Sequence, residues 1–179
     1  MKGKNIVFIA KSLDGFIAGK KNELDWLETV PNPKSNDLGF DGLIHEIDAI
    51  VMGRTTFETV LGFGGEWPYK KHLFVLSNSI KKIPEKLQEN VTLLNGTVQE
   101  ILTAIHAKGF FSLYIDGGKT VQSFLKEDLI DELIMTTIPV LLGEGIPLFG
   151  SLPKLLEFSH IKTEVFLDQL VQSHYRKKK

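Results

Sequence analysis

Two turns in this chain place glycine, a cation and hydroxyl groups where a helix begins. Gly53-Arg54-Thr55-Thr56 follows the apolar run Ala49–Met52, and Asp116-Gly117-Gly118-Lys119-Thr120 follows Phe111–Ile115. A strand that turns straight into a helix leaves the first backbone N–H groups of that helix unpaired. The helix dipole favours an anion there. Arg54 and Lys119 add fixed positive charge beside those amides. Either turn alone is an ordinary strand end. Two of them, each with a cation, point to a ligand with two phosphate-binding ends, a dinucleotide. Two further polar segments also follow strands: Ser77-Asn78-Ser79 after His72–Leu76, and Ser12-Leu13-Asp14-Gly15-Phe16-Ile17-Ala18-Gly19 after Asn5–Ala10. In open α/β sheets ligands bind beyond the carboxyl ends of the strands, where all four segments fall.

Other chemistries find less support. The G-x-G-x-x-G fingerprint is missing, so an ordinary Rossmann dinucleotide site is not expected. Gly117-Gly118-Lys119-Thr120 ends like a phosphate-binding P-loop, but Leu113 stands where that pattern needs its first glycine. The histidines (His45, His72, His106, His160 and His174) are never three or four positions apart, so no metal site is expected. No G-x-S-x-G elbow is present for a Ser-His-Asp hydrolase. Cysteine is absent, which excludes disulfides, thiolate metal sites and cysteine nucleophiles.

These residues need a frame to hold them. The chain has 179 residues with 42% hydrophobic and 24% charged, ordinary globular usage for one domain over 1–179. Lysine and arginine total 21 against 22 acidic residues, so no strong field exists to hold nucleic acid. The apolar run Ile6–Ala10 is too short for a signal-peptide core, and no stretch approaches a membrane span. A cytoplasmic protein with no nucleic-acid or membrane partner is the expectation.

Asn5–Ala10, Ala49–Met52, His72–Leu76, Val91–Leu94, Phe111–Ile115 and Ile130–Pro139 read as strands. Residues 28–42 form a loop with Pro31 and Pro33, and a short helix runs from Asp37 to about Glu46. Arg54–Leu61 is helical. Val98, Ile101, Leu102 and Ile105 give an amphipathic stripe, and Val121, Phe124 and Leu125 give another. After the glycine-proline loop at 142–147, strands near Glu157–Phe166 and Gln169–Arg176 meet at Leu167-Asp168 as a hairpin. Strands alternate with helices up to residue 130 and pair antiparallel afterwards. That pattern gives an α/β fold: a mostly parallel sheet, an antiparallel C-terminal edge and helices on both faces.

Ser12–Ala18, Val51–Glu58, Val75-Leu76-Ser77, Ile115–Gly118 and Thr136–Pro139 occur in that order, and together they resemble the dihydrofolate reductase superfamily, a three-layer fold. Asp131-Glu132-Leu133 followed by Pro139–Gly145 is similar to one branch in particular. That branch holds the reductase (RibD C-terminal) domain of bacterial riboflavin biosynthesis and its stand-alone relatives. The likeness runs from about Asn5 to Tyr175. It implies an NADPH-dependent reductase acting on a C=N or C=O group of a small, heterocyclic substrate, either pterin-like or ribosylaminopyrimidine-like. The alternative is a nucleotide-binding module without turnover.

Carried onto this chain, the resemblance implies that Ala10 and Ile17 flank the nicotinamide. Gly53, Arg54, Thr55 and Thr56 would cradle the adenosine phosphates, and Ser77, Asn78 and Ser79 the adenosine end. Gly117, Gly118, Lys119, Thr120 and Val121 would hold the pyrophosphate and pack on the nicotinamide, with the Gly-Gly bond often cis. Asp37, 16 positions before Gly53, matches the buried acid of the folate enzymes. It would protonate the substrate after burial raised its pKa, with Trp26 and Phe40 as walls, or else it is only a helix cap. Relatives on this branch are commonly homodimers, and the apolar C-terminal hairpin would supply the contact.

Overall fold

Residues 3–178 are described by a computed structural model of the chain. Eight strands build the main sheet: β1 (Asn5–Lys11), β3 (Ala49–Gly53), β4 (His72–Leu76), β5 (Val91–Leu94), β6 (Leu113–Asp116), β7 (Glu132–Thr137), β9 (Phe158–Phe166) and β10 (Leu170–Lys177). Their order is β5-β4-β3-β6-β1-β7-β10-β9. Pairing is parallel from β5 across to β7 and antiparallel for β7–β10 and β10–β9. Two short strands, β2 (Phe16–Ala18) and β8 (Ile146–Pro147), form a separate antiparallel ribbon. The four helices are α1 (Phe40–Glu46), α2 (Arg54–Gly62), α3 (Val98–Ala107) and α4 (Gly118–Lys126).

The central strands are apolar on both faces because both faces are covered. In β3, Ala49 and Val51 pack into one core while Ile50 and Met52 pack into the other, all fully buried. Alternation along the strand separates the two faces. The first core takes Ile101, Leu102 and Ile105 of α3 and Val121, Phe124 and Leu125 of α4. The second takes Leu43 of α1 and Phe57 of α2. A third cluster, Trp26, Val30, Ile138 and Leu170, seals the β7–β10 side. The α/β, dihydrofolate reductase-like architecture expected from the sequence is therefore present, with its antiparallel edge hairpin.

Local differences have local causes. The strand expected from Phe111 begins at Leu113, because the N–H groups of Phe111 and Ser112 both donate to Asp48 Oδ2 at 2.8 Å. The helix expected from Asp37 begins at Phe40, because Leu38 (φ 55°) and Gly39 (φ 88°) are left-handed and cannot extend it. β2 escaped notice because its partner β8 lies far along the chain. Leu167 and Asp168 both have positive φ, the pairing required at a tight hairpin turn. Among the described residues, no helix is long and apolar enough to cross a membrane.

Candidate active site

A cleft of about 820 Å³ opens beyond the carboxyl ends of β1, β3, β4, β5 and β6. Ala10, Ile17, the Gly53–Thr56 turn, Ser77–Ser79 and Gly117–Thr120 all line it. Segments scattered over more than a hundred positions are thus brought to one sheet edge. Val121 is not brought there: it is fully buried in the core beneath α4.

Three of the helices differ at their starts in a way that bears on binding. α3 carries a full capping box. The Thr97 hydroxyl accepts the Glu100 N–H at 3.3 Å, and Glu100 Oε2 accepts the Thr97 N–H at 2.8 Å. α2 and α4 begin after Gly53 and Gly117, and neither has a side-chain cap. Their first-turn N–H groups are left for a ligand in the cleft. Gly117 turns the chain at φ 86°, a left-handed conformation that glycine adopts freely. A Cβ on Gly117 would collide with Thr56 Oγ1, and one on Gly118 would stand 2.7 Å from Ile17 Cδ1. The two turns and the segment after β1 therefore meet backbone to side chain. No described peptide bond is cis, so the Gly117–Gly118 bond is trans, unlike the implied one; the left-handed φ of Gly117 makes the turn.

The neighbouring groups are loosely committed. Arg54 Nη1 lies 3.3 Å from Glu58 Oε2, and both side chains are half exposed, so the pair is weak and exchangeable for a phosphate. Lys119 is exposed at the cleft. The Ser77 hydroxyl accepts the N–H groups of Ser79 at 3.1 Å and Ile80 at 2.9 Å, which fixes the loop after β4. Asp14 takes the Ser12 hydroxyl at 2.5 Å and the N–H groups of Gly143 at 2.7 Å and Leu142 at 3.2 Å. Those bonds, the serine's first, hold its carboxyl below the usual range and tie the glycine-proline loop to the segment after β1.

The cleft has two halves because it straddles the sheet edge. On the α3/α4 side lie Val98, Ile101 and Ser123. On the α1/α2 side lie Phe8, Tyr114, Asp116, Val60 and Phe63. Tyr114 and Asp116 are two apart in β6 and so share that face. Phe40 packs edge-on against Phe8 and Tyr114, with ring centres 5.8 and 6.2 Å away. The Tyr114 hydroxyl donates to the Phe8 carbonyl at 2.9 Å. Asp116 Oδ1 accepts the Gly117 N–H at 2.8 Å. Burial raises the Asp116 carboxyl to about 6 against the opposing pull of the Gly117 N–H and the Tyr114 hydroxyl. Burial, and then the Asp116 charge, also lift the phenols of Tyr69 and Tyr114.

Asp37 does not meet the requirements of a buried acid. It is exposed and lies outside the cleft. Its carboxylate accepts the Asp41 N–H at 2.8 Å and the Gly39 N–H at 3.2 Å, and these bonds hold its pKa below the ordinary value. The geometry is that of a turn-and-cap residue, because the left-handed pair Leu38-Gly39 sets Asp37 ahead of the helix rather than on it. Trp26, its supposed wall, is in the third cluster. The acid that reaches the cleft is Asp116, which sequence reasoning passed over as a turn residue. The available signal was its place: the last position of a central strand, directly before the Gly-Gly turn. Among the described residues, no three His, Asp or Glu side chains could hold a metal.

Comparison with known proteins agrees with this architecture. The chain is 35% identical over 178 residues to YwjB of Bacillus subtilis (strain 168), covering 98% of both, and that relative is itself described as uncharacterized. A crystal structure from Shewanella sp. PV-4, of a protein named provisionally for riboflavin biosynthesis, superposes with a TM-score of 0.94. It shares 52% identity over 98% of this chain and 99% of that one. The Thermotoga maritima diaminohydroxyphosphoribosylaminopyrimidine deaminase/5-amino-6-(5-phosphoribosylamino)uracil reductase matches at TM-score 0.75 and 17% identity, over 99% of this chain and 57% of that one. Enterococcus faecalis dihydrofolate reductase, solved with NADP(H), matches at TM-score 0.68 and 22% identity over 100% and 99% of the two chains. The last two establish the shared fold. The model of the RibD C-terminal domain matches residues 4–171, and the chain belongs to that family.

Proposed function

We propose that this chain is a single-domain, cytoplasmic, NADPH-dependent reductase that delivers a hydride to a C=N or C=O carbon, with Asp116 as the proton donor. The observation that carries the reading is one juxtaposition. Two uncapped helix starts, each with a cation, open on the same cleft as a half-buried carboxyl whose pKa burial has raised.

The residues present fit the cofactor. The free N–H groups at the start of α2, with Arg54, Thr55 and Thr56, would hold phosphate at the adenosine end, beside Ser77, Asn78 and Ser79. Gly117, Gly118, Lys119 and Thr120 at the start of α4 would hold the pyrophosphate. Ala10 and Ile17 would flank the nicotinamide; Val121 supports α4 from the core. NADPH, when bound, supplies the hydride. The chain's own work is to fix the acceptor carbon at near-attack distance and to keep water out. Asp116 holds a proton at a pH where an ordinary carboxylate has lost it, and can pass it to the nitrogen or oxygen that gains charge. The superposable dihydrofolate reductase with NADP(H) supports the cofactor assignment.

Titration of the protein with NADPH and NADH tests this. Arg54 presents a planar fork suited to an extra phosphate, so NADPH should bind at least tenfold more tightly. Lys81 and Lys82 do not line the cleft, so the preference rests on Arg54. Equal affinities would remove the assignment of Arg54. Tight NADPH binding without cofactor oxidation by any imine or carbonyl heterocycle would instead favour a nucleotide-binding module. We also propose that the protein is a homodimer joined through the β9–β10 hairpin.

A further inference from the structure

The two cleft turns are built alike and abut one another. β3 and β6 are parallel neighbours with Met52 opposite Asp116, so Gly53 and Gly117 follow in step. Each glycine precedes a helix, and each helix carries threonine as its third residue, Thr56 in α2 and Thr120 in α4. The place that a Cβ on Gly117 would take is filled by Thr56 Oγ1, and a Cβ on Gly53 would stand 3.0 Å from Thr120 Oγ1. Each turn thus offers its missing side chain as a socket for the other's hydroxyl. One turn further along, Thr59 and Ser123 donate back to the Thr55 and Lys119 carbonyls at 2.9 and 2.8 Å. A third helical residue has no carbonyl of its own helix four positions back, which leaves Thr56 and Thr120 to reach across the seam. Gly53 has φ −79° and ψ 165°, extended backbone that any residue adopts. Its own conformation does not require glycine; the protein atom a Cβ there would meet is Thr120 Oγ1.

From this reciprocity we infer that Thr56 and Thr120 are positioning residues: they fix the separation of the α2 and α4 starts, so that the two anion sites work as one site for a dinucleotide and not as two sites for single phosphates. The inference rests on the cofactor reading above and adds how the two ends of that site are kept in register. Groups that must meet both ends of one ligand have to be held to about 0.5 Å. A packed contact resists displacement, because neighbouring atoms leave no slack. Thr120 is buried and Thr56 half-buried, so the seam is part of the folded protein before any ligand arrives. The side-chain oxygens face the neighbouring turn, and the backbone N–H groups of both helix starts stay available to the ligand. A dinucleotide then meets donors already set at the right spacing, which lowers the cost of ordering them on binding.

Calorimetric titration of the full chain with NADP⁺ tests this through a double-mutant cycle on Gly53→Ala and Thr120→Ala. Gly53→Ala drives a methyl onto the Thr120 hydroxyl and should weaken NADP⁺ about tenfold. Thr120→Ala alone should weaken it less, because the spacing is no longer held, and Thr120→Ser, which keeps the oxygen, should bind more tightly than Thr120→Ala. In the double variant the methyl has room, so Thr120→Ala should recover most of the affinity that Gly53→Ala lost. A hydroxyl that only bonds the ligand, or a Gly53 kept small for the ligand's own approach, predicts losses that add. Additive losses overturn the inference, as does a Gly53→Ala protein that binds like the wild type. Against 2′,5′-ADP, which offers the adenosine end alone, Thr120→Ala should lose less than against NADP⁺. A merely structural defect would weaken both ligands alike, and that equal loss also overturns the inference. Should Gly53→Ala melt too low to titrate, this comparison of two ligands decides by itself. A wild-type chain that binds no NADP⁺ overturns the cofactor reading and this inference together, whereas normal wild-type binding with additive losses refutes the positioning role alone.

Discussion

Asp116 combines a turn hydrogen bond with a carboxyl whose pKa burial raises. Its Oδ1 is fixed by the Gly117 N–H, and burial lifts its pKa from 3.8 to about 6. The folded protein therefore holds this proton more tightly than the unfolded chain does. The stability this adds is present in full below the unfolded value and is lost as pH rises through the folded one. Above that window the ionised side chain costs up to about 3 kcal/mol. Asp116→Asn keeps the shape and an acceptor for Gly117. It should raise the melting temperature near pH 8, with the gain vanishing near pH 4, and should cut turnover by about 10²–10⁴-fold. Thermal melts across pH and steady-state rates check the two halves of that statement. If Asp116 were only a turn residue, turnover would hold. Gly118 is constrained by space instead. A Cβ there would stand 2.7 Å from Ile17 Cδ1 and 3.6 Å from Ile146 Cγ2. Gly118→Val should cost about 1–3 kcal/mol through crowding, and should weaken NADPH binding at least tenfold by displacing Ile17 and the turn. Urea unfolding and cofactor titration separate these effects.

At the scale of elements, the sheet is locked at the end opposite the cleft. Glu132 at the start of β7 is only 3% exposed, yet it meets Lys4 at 2.9 Å, His174 at 2.8 Å and Arg176 at 3.1 Å. Those groups tie β7 and β10 to the segment entering β1. Burial works to raise the Glu132 carboxyl, but the bonds from Lys4, His174 and Arg176 prevail and hold it below its ordinary value. Its contribution to stability is thus present above the unfolded value of 4.5 and disappears as pH falls through the folded one. Glu132→Ala would leave Lys4, Arg176 and the His174 imidazole around an empty site. The expected loss is about 3–5 kcal/mol near neutral pH, shrinking in acid, measured by urea unfolding at several pH values. The cleft end is arranged oppositely, with two helix starts left uncapped. Ion pairs are concentrated at the end away from the cleft, and uncapped helix starts at the cleft.

For the whole molecule, β9 is one of the two sheet edges, with its backbone unpaired on the outer side. On the hairpin, Leu170 is buried and Phe158 and Phe166 are partly covered. Ile161, Val165 and Val171 stay 43%, 61% and 40% exposed, and Val171 lies directly opposite Val165 in the ladder. Val165 and Val171 share one face of the hairpin, while Ile161 falls at the irregularity of the ladder and has no partner on β10. The expected outcome in sedimentation is a species of twice the 20.1 kDa chain mass at micromolar concentration. An interface of about 1,000 Å² or more is required for that. Val165→Lys should split it into monomers without lowering NADPH affinity, since Val165 does not line the cleft. A wild-type monomer would count against the hairpin as an interface.

The strand and helix pattern was legible in the sequence because both faces of a covered parallel sheet demand apolar runs, and because helix stripes and glycine turns are local signals. The phosphate-suited turns at Gly53 and Gly117 were legible for the same reason: glycine, cation and helix start are consecutive in the chain. The acid was not. Asp37 and Asp116 are both carboxylates beside glycines, and nothing local separates them. The difference is made by which backbone N–H groups each one meets and by how much protein covers it. Leu38 and Gly39, both left-handed, carry Asp37 out to solvent, whereas alternation along β6 puts Asp116 on the face with Tyr114, under Phe8. Likewise Val121 reads as part of a binding turn, but the helical rotation from Gly118 turns it into the core. Chemistry that depends on consecutive residues is written in the sequence. Burial, which moves a pKa, is a property of residues far apart in the chain and was decided only by the tertiary structure.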